Sequence, residues 1–247
     1  MMLRFVFALA ALCLFASAAN AACRQALALG LDVSGSVDAR EYKLQLDGLA
    51  AALDDKRVRA ALLTLPQAPV ELLIYEWSGP KDQFLILNWT PVKTESDLDG
   101  IIETLVTTQR RPASPGTALG SSMALGAAYL AERTQCTKRT LDISGDGKSN
   151  LGPRPQDARK SLKNAGITIN GLVIGADDPS IGDLRQSAIG ELASYYQAYV
   201  ILGEDAFVET ALGYQAYADA MARKLLREIE TLTLSSLDQS LQPVNLK

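Results

Sequence analysis

From Ala26 to Leu31 the chain is apolar almost without interruption, and the apolar residues that follow recur at helical spacing, with Tyr42, Leu46, Leu49 and Leu53 on one face of Val37 to Leu53. The short continuous run fits a strand buried on both faces, and the 3.6-residue recurrence fits an amphipathic helix that Asp38 can cap. Val70 to Trp77 and Gln83 to Trp89 read as strands joined by Ser78-Gly79-Pro80-Lys81-Asp82, a link short enough for an antiparallel hairpin at a sheet edge. Ser96 to Thr107 and Ala118 to Arg133 read as helices, separated by the breaker-rich Pro112-Ala113-Ser114-Pro115-Gly116. Beyond them the pattern predicts a strand over Thr140 to Ser144, a helix over Gln156 to Asn164 and a strand over Ile167 to Ile174. A helix over Pro179 to Ala193 and a final strand over Tyr196 to Leu202 come next. A long helix over Phe207 to Ile229 closes the series, with Leu212, Met221, Leu225 and Ile229 facing inward.

Strands and helices thus alternate everywhere except at the hairpin. This order predicts an α/β fold with a doubly wound, mainly parallel sheet, one antiparallel edge strand and helices on both faces. With no internal repeat and no interdomain linker, one domain is expected over residues 22–230, followed by a weakly periodic tail over 231–247. Composition agrees with one large core: the 247 residues are 48% hydrophobic and 21% charged. A net charge of -4 and the lack of any Lys or Arg run argue against nucleic acid or anionic lipid as partner. There is no histidine, which excludes Ser-His-Asp and Cys-His triads and every His-ligated metal site.

The first 21 residues read as a signal peptide. Arg4 precedes an apolar segment from Phe5 to Phe15, and Ala19-Asn20-Ala21 has the small-x-small form of a cleavage site. The apolar stretch is short for a membrane span, so an exported protein, periplasmic or secreted, is expected. Cys23 has no Leu three residues before it, and lipidation is not predicted. Cleavage removes Cys13 and leaves Cys23 and Cys136 in an oxidising compartment. Cys23 lies nine positions before Asp32, and Cys136 ten before Asp146. If their strands are parallel neighbours, the sulfurs meet at the end of the sheet opposite those carboxylates. A bridge closing so long a loop stabilises by roughly 3 to 5 kcal/mol in the chain-entropy account.

The chemistry-bearing residues gather where strands end. Asp32-Val33-Ser34-Gly35-Ser36 follows the first strand with one carboxylate and two hydroxyls at alternate positions. Such oxygens suit a hard divalent cation, although Ser and Gly also make turns and Asp also caps helices. Asp146 ends the fourth strand between Gly145 and Gly147, and Thr117 opens a helix after the loop from Pro112. In a doubly wound sheet, loops at the carboxyl ends of strands converge on a crevice where the strand order reverses.

Asp32, Ser34 and Ser36, then Thr117, then Asp146 together resemble the metal-ion-dependent adhesion site of the von Willebrand factor A-like fold: Asp-x-Ser-x-Ser, a loop Thr and a later loop Asp. The resemblance runs from about Ala26 through the last helix. The segments Leu31 to Val37, Tyr75 to Gly79 and Ile143 to Gly147 look more specifically like a group of exported bacterial proteins of unknown function with this fold. The resemblance implies that Ser34, Ser36 and Thr117 approach a Mg2+, Mn2+ or Ca2+ ion while Asp32 and Asp146 act directly or through water. Only two carboxylates would leave the ion with residual positive charge, free to accept an acidic group from a protein or peptide partner. Asp38, Asp142 and Asn150 are candidate supporting groups, with capping, turn or buried-pair roles as the alternatives.

A non-enzymatic binding module is therefore expected. Two rivals differ in class. A phosphatase of the haloacid dehalogenase type would use Asp32 as nucleophile, but it wants an acid two residues later, where Ser34 stands. A scaffold for assembly would use the same Ser and Gly residues as turns, with no metal. Trp77 and Trp89 on the hairpin, and Tyr195 and Tyr196, read as packing residues.

Overall fold

The computed structural model describes residues 23–175 and 183–240. The expected signal segment, residues 179–182 of an expected helix and the last seven residues of the tail lie outside it. Its first strand, β1 (Cys23–Asp32), is buried along its whole length, as the unbroken apolar run demands. Alternate side chains divide between two cores: Leu27, Leu29 and Leu31 enter one, Ala26 and Ala28 the other. Helices α1 (Ala39–Asp54) and α2 (Lys56–Leu63) follow, then the hairpin of β2 (Val70–Trp77) and β3 (Gln83–Val92). Next come α3 (Glu95–Thr107), α4 (Leu119–Ala131), β4 (Cys136–Gly145), α5 (Pro155–Leu162), β5 (Thr168–Ile174) and α6 (Asp183–Tyr199). A short β6 (Val208–Ala211), a 3-10 turn (Tyr214–Ala216) and α7 (Tyr217–Ser240) complete it.

The sheet order is β3-β2-β1-β4-β5-β6, parallel throughout except for β3 at the edge. From β1 the chain first builds outward to β3 and then returns to place β4 on the other side of β1. The strand order therefore reverses between β1 and β4, which opens a crevice at their carboxyl ends. Asp32 is the last residue of β1 and Gly145 the last of β4. At the other end of the same pair, Cys23 and Cys136 are in register, with their sulfurs joined at 2.03 Å.

Several expectations change. No element was expected over residues 54–69, yet Asp55 caps α2, and Val58 and Leu62, four apart, anchor it in the core. The strand expected over Tyr196 to Leu202 is mostly helix: Ile189, Leu192, Tyr196 and Val200 are buried at i, i+3, i+7 and i+11, a helical period that overrides the strand preference of the aromatics. Only Leu202 meets the sheet there, through an isolated antiparallel bridge to Ile169. The last strand is instead β6, inside the segment expected to begin the long helix, and Leu212 just beyond it is 59% exposed rather than inward. Met221, Leu225 and Ile229 do face the core from α7. The same stripe carries Lys224 and Glu228, both buried.

Candidate metal centre

Three loops meet over the crevice. In the first, Ser34 N–H donates to Asp32 Oδ1 at 2.8 Å, the Asx turn that lets a carboxylate organise the backbone after a strand. Gln45 from α1 donates to the Asp32 carbonyl at 3.0 Å, and Val33 N–H donates to the Trp77 carbonyl at 2.9 Å, so the loop is held from two sides. Gly35 N–H donates to the Pro115 carbonyl at 3.1 Å. A Cβ at position 35 would lie 2.8 Å from that of Pro115, so only glycine lets the first and second loops approach this closely.

The second loop presents Thr117, which the third loop braces. Thr117 N–H donates to Asn150 Oδ1 at 2.9 Å, and Asn150 N–H donates back to the Thr117 carbonyl at 3.0 Å. Asn150 thus holds the threonine that the sequence singles out. In the third loop, Asp146 Oδ1 accepts the Ser36 hydroxyl at 2.6 Å, and the Ser34 and Ser36 hydroxyls are 3.3 Å apart. A Cβ on Gly147 would lie 3.9 Å from the Thr117 hydroxyl oxygen, which places that hydroxyl beside the Asp146 loop. Asp32, Ser34, Ser36, Thr117 and Asp146, spread over 115 residues of sequence, therefore face one small volume. Asp32 and Ser34 are fully buried at its base, and Ser36 is exposed at its rim.

Its electrostatics are unbalanced. Burial pushes the Asp32 carboxyl up to about 8, and the nearby charge of Asp146 adds to the shift against the Ser34 hydrogen bonds. Asp146 is also raised, by burial first, while the Ser36 and Tyr214 hydroxyls oppose the shift. Among the described residues no lysine or arginine pairs with either carboxylate. Asp32 Oδ2 is buried with no hydrogen-bond partner. A buried carboxylate oxygen in that state is costly unless something positive or protic meets it. Two carboxylates and three hydroxyls with one such oxygen are a donor set that fits a hard divalent cation.

Two neighbours are not expected at the site from the sequence: Tyr196 reads only as a packing residue, and Tyr214 is not singled out. Tyr214 donates to Asp146 Oδ2 at 3.3 Å, and Tyr196 is fully buried with its hydroxyl unpaired. A Cβ on Gly145 would fall 2.5 Å from that hydroxyl and 3.0 Å from Asp32 Oδ2, so both unpaired oxygens border one point beneath the site. No motif marks either tyrosine, and Tyr214 lies in the segment mistaken for helix.

Two candidate supporting groups are elsewhere engaged. Asp38 caps α1 in a reciprocal box with Glu41, accepting from Arg40 and Glu41 N–H at 2.7 and 2.8 Å. Asp142 does not support the loop from below. It points to the α7 side of the sheet and pairs with Lys224 at 2.8 Å, because a buried carboxylate takes the nearest buried cation. Cys23, Cys136 and Glu71 also cluster, but the sulfurs are bonded to each other and Glu71 pairs with Arg133.

The architecture is von Willebrand factor A-like. It is similar to proximal thread matrix protein 1 from the mussel byssus, at 15% identity and a TM-score of 0.58 over 84% of this chain and 48% of that one. That protein has also been solved with a zinc-occupied MIDAS motif. It is similar as well to the pilus adhesin SpaC from Lactobacillus rhamnosus GG (15% identity, TM-score 0.57, 85% of this chain and 30% of that one). A von Willebrand factor type A structure from Catenulispora acidiphila gives 13%, 0.56, 84% and 43%. The chain spans less than half the length of each, and at these identities the likeness is one of fold. No curated protein matches the sequence. The family model described as protein of unknown function (DUF1194) matches residues 22–233, and the chain belongs to that family.

Proposed function

We propose that this protein is an exported, non-enzymatic binding module. It holds a divalent cation, Mg2+ or else Mn2+ or Ca2+, with Asp32, Ser34, Ser36, Thr117 and Asp146, and uses it to capture an acidic group on a protein or peptide partner. The observation that carries this reading is Asp32 Oδ2, a buried carboxylate oxygen without a hydrogen-bond partner, set among hydroxyls and a second carboxylate, with no basic side chain among the described residues paired to either acid. A cation would neutralise the pair, and three neutral hydroxyls would leave it charge enough to attract an acid. The zinc-occupied motif of the mussel protein, on the same fold, supports this assignment, and the cysteine pair supports export.

The phosphatase reading is weaker here. Position 34 would have to supply a general acid, and it is a buried serine whose hydroxyl meets Ser36. The deciding measurement is the melting temperature of the mature protein in chelator and in millimolar Mg2+, Mn2+ or Ca2+. At least one cation should raise it, and Asp146→Ala should abolish the rise. A wild type indifferent to all three would overturn the reading.

A further inference from the structure

Beside the crevice, on the far side of Val33, lies a cavity of about 190 Å³ that the cation reading does not use. It is walled by Arg110 and Arg111, from the segment that leads to Thr117, and by Lys81, Asp82 and Phe84 of the hairpin. Tyr42 and Glu76 form its floor, with the Tyr42 hydroxyl donating to Glu76 Oε1 at 2.5 Å. Its formal balance is positive, three cations against two carboxylates, on a chain whose net charge is -4.

The two guanidiniums are held in place by contacts other than ion pairs. Arg110 donates to the Val37 carbonyl and sits over the Tyr42 ring, 5.9 Å from its centre. The Arg111 guanidinium carbon lies over Phe84, 3.5 Å from the ring centre. Stacking occupies the face of a guanidinium and leaves the N–H donors along its edge available. Among the described residues neither arginine makes an ion pair, although Arg59, Arg133, Arg154 and Arg223 all do. Glu76 accepts the Tyr42 hydroxyl and feels the charge of both arginines, but among the described residues it makes no ion pair with either. The N–H edges that remain on the two guanidiniums suit an anion of planar, bidentate shape, and a carboxylate fits a volume of this size.

We infer that this cavity is a second acid-binding subsite, in which Arg110 and Arg111 take a carboxylate of the same partner whose other acidic group meets the cation. The inference rests on the cation reading for the first acidic group. It narrows the partner to a segment with at least two acidic side chains, because the subsite and the cation site share the loop around Val33 and would be engaged together. Two linked contacts raise affinity through effective concentration, so partners with a single acid would be discriminated against.

The test uses two fluorescein-labelled peptides of equal length, one carrying six consecutive glutamates within Gly and Ser, the other a single glutamate. Anisotropy is read at physiological salt, with Mg2+ or EDTA. For the wild type in Mg2+, the hexaglutamate peptide should bind at least tenfold more tightly than the single-glutamate peptide. Arg111→Gln and the double change Arg110→Gln with Arg111→Gln should lose that advantage. The charge-matched control Arg154→Gln with Lys163→Gln should keep it. An advantage that survives in the double variant, or is absent from the wild type, overturns the inference. Hexaglutamate binding that persists in EDTA but is lost in the double variant upholds the subsite and counts against the cation. Melting temperature with and without Mg2+, read on the same preparations, tells whether the cation reading stands when the subsite fails.

Discussion

Ser36 donates its hydroxyl to Asp146 Oδ1 at 2.6 Å, joining residues 110 positions apart in the chain. The contact exists because β1 and β4 are direct parallel neighbours, so that loops leaving both strands at the same end must share a crevice. Cys23 and Cys136 fasten the other end of the same pair. A site suspended between two strands pinned in register is set before any ligand arrives, which lowers the ordering cost of binding.

Asp32 should be a stability liability in the metal-free protein. Its carboxyl rests near 8 when folded against 3.8 as the ordinary value, so between those pH values the folded chain holds a proton that the unfolded chain has released. This contribution is fully present below about pH 4 and is lost as pH rises through about 8. In chelator at pH 8, Asp32→Asn should therefore melt higher than the wild type and show a flatter stability-pH curve, while losing the cation-induced rise. A lower melting point in chelator would contradict the argument.

Gly145 should tolerate no side chain. A Cβ there meets the Tyr196 hydroxyl at 2.5 Å and Asp32 Oδ2 at 3.0 Å, both inside packed surroundings. Gly145→Ala should cost about 1–3 kcal/mol in urea unfolding and blunt the response to cation. Adding Tyr196→Phe, which removes the nearer atom, should restore part of the lost stability. Additive costs from the two changes would show that the clash lies elsewhere.

Lys224 is the centre of a buried polar cluster far from the loops. Its ammonium lies 2.8 Å from Asp142 and 2.6 Å from Glu228, and Glu228 also accepts from Asn170 at 2.6 Å. Lys224→Met takes from two buried acids the ammonium between them and should destabilise by about 3–5 kcal/mol. Asp142→Asn introduced with it should recover part of that loss. Because the cluster serves packing of α7 on the sheet, the Mg2+-induced shift should persist in whatever fraction folds, as measured by melting with and without the ion.

The disulfide closes a span of 113 residues, which in the chain-entropy account is worth about 5 kcal/mol. Cys23→Ser with Cys136→Ser should lower stability by up to that amount and still leave the response to cation intact, since the bridge sits at the opposite end of the strands. Loss of the cation response at temperatures where the variant remains folded would mean that the bridge also shapes the loops.

The periodicity of the sequence was enough for β1, for the hairpin and for the alternation that makes the sheet parallel, because fully buried strands need unbroken apolar runs and amphipathic helices need the 3.6 repeat. Short-range signals also held where the chemistry is local: Asp38 caps α1 because a side-chain oxygen two or three residues from free N–H groups needs nothing else. They failed from Tyr196 to Leu202, where aromatic and branched residues favour strand by themselves and the packing of α6 on the second core decides for helix, and from Phe207 to Leu212, expected as helix, where β6 instead pairs with β5. The loop motifs themselves were legible, as oxygen-bearing residues at strand ends. Their convergence on one crevice was expected of a doubly wound sheet, but which atoms meet there was not legible, since only the placement of β4 beside β1 brings Asp146 to Ser36. Tertiary structure likewise gave Asp142 to Lys224, put Tyr214 and Tyr196 around the acids, and set Arg110 over Tyr42 and Arg111 over Phe84. Each of these depends on contacts between residues distant along the chain, which a periodic pattern cannot encode.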